Sequence, residues 1–125
     1  IVCNNWQTSI TPLLLKEKIK NDPLLKNVKV VFFIHEIDSN YNFSNKLLNE
    51  LNIPINSKNS SQDMLSLASK HSDLIYVVNN GTNEKNIASL IKKNEYKVIE
   101  SVDSLKTSEK MDLYNMLSAD LHSLI

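Results

Sequence analysis

The chain contains no arginine, one glycine, one cysteine and no long apolar run. Each shortage excludes a class of function. Bidentate recognition of phosphate or carboxylate groups is mostly arginine work. The 14 basic residues are therefore all lysines, and they balance 14 acids to a net charge of zero. A nucleic-acid-binding domain normally carries a basic stripe, so that class is excluded. With Gly81 alone, neither G-x-G-x-x-G nor G-x-x-x-x-G-K can be written, and phosphate-cradling loops of those kinds are absent. A lone Cys3 allows no disulfide framework and no thiolate zinc site. The longest apolar run, Val30 to Ile34, is far too short to cross a bilayer, so no membrane span is expected. The sequence starts at Ile1 with no signal or transit pattern and reads as a mature or trimmed product.

What is present suits one α/β domain. A length of 125 residues with 42% hydrophobic content is enough for a modest layered core. The 17 asparagines read as surface drift rather than disorder, because the apolar content is near the globular norm. Ile1-Val2-Cys3 suits the end of a strand. Thr8 or Ser9 caps a helix through Ile10, Leu13 and Leu14, with Pro12 in its first turn, where a missing N–H costs little. Asp22-Pro23 makes a turn, and Val28 to Ile34 is a strand covered on both faces. Phe43, Leu47, Leu48 and Leu51 recur at helical spacing, and residues 55 to 62 form a polar, flexible loop. Met64, Leu65 and Ala68 suggest a short helix, followed by Leu74 to Val78 as another buried strand. A turn at Asn79 to Thr82 leads to a helix with Ile87, Leu90 and Ile91 inward, and Tyr96 to Ile99 is a short strand. Thr107 or Ser108 opens a last helix with Met111, Tyr114, Leu117, Leu121 and Leu124 on one stripe, and Leu113 and Met116 outside it. Alternating strands and helices predict a Rossmann-like parallel sheet with flanking helices and right-handed crossovers.

Ligands of such sheets sit outside the carboxyl ends of the strands. Three polar clusters fall there: Asn4-Asn5-Trp6, His35-Glu36 and Asn79-Asn80. An imidazole beside a carboxylate can orient a sugar hydroxyl or stabilise a departing phosphate, and it is more often the composition of a solvated turn. Trp6 is either a stacking surface for a sugar ring or a core anchor. His71 and His122 have no partner at metal-ligand spacing, so no metal or cofactor is expected.

The order of these pieces resembles the N-terminal domain of glycogen and starch synthases, glycosyltransferases of the GT-B fold. Asn4-Asn5-Trp6-Gln7-Thr8 followed by Pro12-Leu13-Leu14-Leu15 is similar to the family's H-D-W-Q-T…P-x-x-L segment. Val31-Phe32-Phe33-Ile34-His35-Glu36 resembles its strand ending in F-T-I-H-N, and Phe43 falls at the phenylalanine of Y-Q-G-x-F. Leu51-Asn52-Ile53-Pro54 is similar to L-G-L-P. Leu65 to Asn79 aligns without a gap on L-K-x-G-x-x-x-A-D-x-V-x-T-V-S. The resemblance is clearest over residues 1 to 87 of a single, partial domain spanning 1 to 125.

The resemblance implies glucosyl transfer from ADP- or UDP-glucose to an α-1,4-glucan, with His35 at the family's histidine near the transferred glucose. It implies Asn5, Trp6, His35 and Glu36 as substrate-binding positions, and a plastid or cytoplasmic setting. Polar motif positions depart from the pattern. Asn4 and Asn5 replace His and Asp, Glu36 replaces Asn, Tyr41 replaces a glycine, Ser66 a lysine and Asn79 a serine. The family's K-x-G-G-L donor loop and nucleotide-sugar-holding C-terminal domain have no counterpart in these residues. The resulting expectation is a non-catalytic synthase-like domain acting as a structural or interaction subunit with protein partners, its last helix the preferred surface. The alternatives are a fragment of an active glucosyltransferase using His35, and an α-glucan-binding module that stacks sugar on Trp6 and Tyr41.

Overall fold

The computed structural model describes residues 1–19, 21–35, 42–53, 58, 61–79 and 95–125. Four strands, β1 (Val2–Asn4), β2 (Val31–Ile34), β5 (Leu74–Asn79) and β6 (Lys97–Glu100), form one all-parallel sheet in the order β1-β2-β5-β6. Two further strands, β3 (Asn42–Ser44) and β4 (Ser61–Asp63), pair antiparallel as a separate ribbon. The helices are α1 (Ile10–Ile19), α2 (Asn45–Glu50), α3 (Met64–Lys70) and α4 (Thr107–Leu124). This is the α/β parallel-sheet architecture expected from the alternation of apolar runs.

The strands follow chain order without reversal. The helices α1 and α3 pack on one face of the sheet, as right-handed crossovers require. The first face presents Cys3, Val30, Phe32, Ile34, Ile75 and Val77, and receives Leu65 and Ala68 of α3 and Leu15 of α1. Outside that layer, Leu13, Leu48 and Ile53 make a small core that joins α1 to α2. The second face presents Val31, Tyr76, Val78 and Ile99, and α4 returns across it with Leu113, Leu117 and Leu124.

Local chemistry sets the element boundaries. Ser44 Oγ accepts the Leu47 N–H at 3.2 Å and starts α2 at Asn45. Phe43 therefore lies in β3 rather than on the predicted helix. The six-residue α2 turns only Leu48 inward, while Leu47 and Leu51 are exposed. Asp63 Oδ1 accepts from Ser66 N–H at 2.6 Å and starts α3 in the same way. The strand predicted over Val28 to Ile34 is shorter, because Asp73 clamps its first part. The Val30 N–H donates to Asp73 Oδ2 at 2.8 Å, and Val30 O accepts from the Asp73 N–H at 2.8 Å. Lys16 Nζ also donates to Asp73, at 3.0 Å, tying α1 to the same point. Partial burial pushes the Asp73 carboxyl up. The Val30 N–H and the Lys16 and Lys29 ammoniums outweigh it and hold the group below its ordinary value.

The last helix corrects its predicted stripe. Met111, Tyr114 and Leu121 are exposed, and the inward line is Leu113, Leu117, Asp120 and Leu124. Asp120 explains the rotation. Its carboxylate accepts from the buried Tyr76 hydroxyl at 2.5 Å and from Lys97 Nζ at 2.5 Å. An unpaired hydroxyl in the core would be costly, so the polar pin outranks the most apolar stripe. The polar loop at 55–62 gives way to β4 at Ser61, and its residues 55–57, 59 and 60 lie outside the described residues. The turn after Asn79 and the helix predicted around Ile87, Leu90 and Ile91 lie outside them as well.

Candidate functional site at the carboxyl ends of the strands

A cleft of about 320 Å³ opens at the carboxyl ends of the parallel strands, between the second face of the sheet and α4. Phe33, Val78, Ile99, Leu113 and Leu117 give it an apolar lining. Asn4, His35, Glu100, Ser101 and Asp103 supply its polar groups. A larger hollow of about 520 Å³ lies beside Asp73, Glu95, Tyr96 and Lys97. That hollow is at the amino ends of the strands, and the position rule for parallel sheets favours the smaller cleft.

His35 follows the last residue of β2 and is exposed. Its Nε2 lies 3.3 Å from Asn4 Oδ1, so the imidazole bridges the ends of β1 and β2. Its ring lies 6.4 Å from Phe33, with planes 25° apart, and Phe33 in turn stacks on Tyr76 at 4.9 Å. At the ends of β5 and β6, Asn79 Nδ2 donates to Glu100 Oε1 at 3.1 Å and links the two strands.

Asn5 adopts φ 56°, in the region that favours glycine. It is held there from both sides. Its N–H donates to Phe33 O at 2.7 Å, and its carbonyl accepts from Thr8 N–H at 3.2 Å. The turn thus stores local strain at the mouth of the site, a common property of functional backbone. Trp6 is half-buried against the first-face core. Neither Asn5 nor Trp6 is among the described residues lining the cleft. Glu36 and Tyr41 lie outside the described residues.

Sequence reasoning did not identify Glu100, Ser101, Asp103, Leu113 and Leu117 as cleft residues. The first three were findable, because Glu100 to Asp103 follow the carboxyl end of the fourth sheet strand, where the same position rule applies. The two leucines come from α4, whose approach to the cleft is a matter of packing.

The arrangement suits a neutral polyhydroxylated ligand. Its apolar lining can cover the C–H face of a ring, and Glu100, Asp103 and the Asn4 and His35 pair can take hydroxyl hydrogen bonds. The described lining carries two acids and no lysine. Among the described residues, no group of three His, Cys, Asp or Glu is placed to hold a metal ion. No described helix is long and apolar enough to cross a membrane.

A parallel sheet with flanking helices and a cleft at its strand ends is the architecture of a Rossmann-like half of a GT-B glycosyltransferase. The model of the starch synthase catalytic domain matches residues 1–96, and the chain belongs to that family. It is similar to the glycogen synthase of Clostridium perfringens (strain 13 / Type A), 45% identical over 51 residues, covering 41% of this chain and 11% of that protein. The glycogen synthase of Clostridium novyi (strain NT) is 28% identical over 120 residues, covering 93% of this chain and 24% of that protein. The matched region is thus at most about a quarter of these relatives' length.

Proposed function

We propose that these residues form a non-catalytic glycogen-synthase-like domain that serves as a structural or interaction subunit. The supporting observation is the cleft at the strand ends. Its histidine is joined to Asn4 and faces an acidic rim of Glu100 and Asp103. Stabilising a departing diphosphate is the main electrostatic task in transfer from a nucleotide sugar. Two carboxylates at the rim oppose that charge, and the chain has no arginine to reverse them. In this reading the apolar core of the family domain persists while polar motif positions within these residues have drifted.

The test is incorporation of labelled glucose from ADP-glucose into glycogen by the longest natural form of the protein, paired with calorimetric titration of ADP-glucose. Neither transfer nor nucleotide-sugar binding is expected. Transfer that disappears in His35→Ala overturns the reading. It would establish the second one, a fragment of an active glucosyltransferase in which Asn5, Trp6, His35 and Glu36 contact substrate. That second reading draws support from His35 at the end of β2 and from the strained turn at Asn5. Its substrate would be an α-glucan of the kind implied by the relatives' name, glycogen synthase.

A further inference from the structure

The cleft beside α4 joins an apolar interior to a rim of negative charge. Glu100 ends β6, Asp103 lies in the short turn Val102–Ser104 just after it, and both line the cleft. Asn79 Nδ2 donates to Glu100 Oε1 at 3.1 Å, which fixes that carboxylate in place without neutralising it. Lys16 and Lys97 make their ion pairs with Asp73 and Asp120 at the opposite, amino ends of the strands. No lysine is among the described lining residues, and His35 Nε2 is turned to Asn4 Oδ1 at 3.3 Å.

The interior is apolar and only partly closed. Val78 and Ile99 are buried, whereas Phe33, Leu113 and Leu117 are half-buried and Val102 is 54% exposed. The helix α4 accordingly has no buried side chain along its 18 residues. An apolar body entering the cleft therefore displaces water from four apolar side chains. A volume of about 320 Å³ lies at the lower end of the range for small-molecule sites and suits one ring with a short chain.

Apolar surface alone would take any small ring, and exposed acids alone would take nothing specific. Their juxtaposition is selective. An apolar anion meets two like charges, and a neutral ring gains from the lining but not from the charge of the rim. We infer that the cleft binds a small organic cation, an aryl- or alkylammonium. Its apolar body lies on Phe33, Leu113, Leu117 and Val102, and its N–H groups donate to Glu100 and Asp103. A carboxylate about 4 Å from a cation in water is worth roughly fivefold in affinity. This deepens the proposed function and rests on its reading of the cleft: the rim that opposes a departing diphosphate is the one that admits an ammonium.

The test is calorimetric titration of the longest natural form of the protein with three probes of similar shape: phenethylammonium, 2-phenylethanol and phenylacetate. Phenethylammonium is expected to bind with a dissociation constant of about 1 mM or below. The alcohol should bind about fivefold more weakly, and phenylacetate more weakly still. Glu100→Gln and Asp103→Asn should each weaken ammonium binding about fivefold and leave the alcohol unchanged. Val102→Ser should weaken both probes alike, and Glu50→Gln, at an exposed acid of α2, should alter neither. Circular dichroism on each variant separates lost binding from lost folding. Overturning results are no saturable binding of phenethylammonium, equal binding of the alcohol or of phenylacetate, or an ammonium affinity indifferent to Glu100→Gln and Asp103→Asn together. No probe is a nucleotide sugar, so such a failure leaves the non-catalytic reading to its own transfer assay. Glucosyl transfer in that assay would remove the reading without altering these affinities.

Discussion

The two faces of the sheet are closed by different means. On the first, α1 and α3 lay Leu15, Leu65 and Ala68 over Phe32, Ile34, Ile75 and Val77, and contact is almost wholly apolar. On the second, α4 is oriented by a polar pin, Asp120 between Tyr76 and Lys97, and among the described residues of that face Val2 stays exposed. The first arrangement needs only the right pattern of leucines and valines. The second depends on one carboxylate arriving at one place. Stability should therefore reside in the first face, and orientation, adaptability and the cleft in the second.

The largest expected contrast is between Phe32 and Val2. Phe32→Ala leaves a cavity in the closed face and should cost about 3–5 kcal/mol in urea unfolding. Val2→Ala, at an exposed position of β1, should stay within about 0.5 kcal/mol. Equal losses would mean that the second face is as sealed as the first. Next comes the clamp: Asp73→Ala deprives the buried Val30 N–H of its acceptor and should cost about 1–3 kcal/mol. On the other face, Tyr76→Phe removes a hydrogen bond to a charged acceptor and should cost about 1.5 kcal/mol, read from the same denaturant curves.

The pH dependence separates the faces further. The Lys97 ammonium, then the Tyr76 hydroxyl, hold the Asp120 carboxyl below its ordinary value, as Asp73 is held on the opposite side. Stability from such groups is complete above their unfolded value, about 4, and is lost as pH falls through the depressed folded value. Acid should thus weaken both faces, and Asp73→Asn should flatten the acid limb. Burial, and then the Asp120 carboxylate, push the Tyr76 phenol up. Its contribution is complete below about pH 10 and is lost as pH rises toward the raised folded value. Alkaline loss should therefore include a second-face part that vanishes in Tyr76→Phe, followed by phenolate absorbance, beside a first-face part from the Cys3 thiol, which burial also pushes up. The smallest effect is expected of His35→Ala. An exposed ring should leave stability within about 0.5 kcal/mol, and a larger loss would make His35 a structural bridge between β1 and β2.

Much of this was legible from local pattern. The run Val31 to Ile34 and the run Leu74 to Val78 are dense in β-branched and aromatic residues, and burial on both faces leaves them no other element to form. Pro12 and the lysines after it marked α1. The β3–β4 ribbon was not legible, since Asn42-Phe43-Ser44 and Ser61-Gln62-Asp63 have little strand character apart from their pairing. The cleft was legible only where its residues follow a strand end, as Asn4 and His35 do.

The sequence by itself determined the chemical inventory: no arginine, one glycine, a balanced charge, and the apolar runs that make a parallel α/β sheet. These follow from composition and short-range spacing, which folding cannot alter. The tertiary structure alone decided which side of α4 faces the sheet. The most apolar stripe favoured Met111, Tyr114 and Leu121. A buried tyrosine hydroxyl required an acceptor, and Asp120, by meeting it, turned Leu113 and Leu117 into the cleft and left Tyr114 and Leu121 exposed.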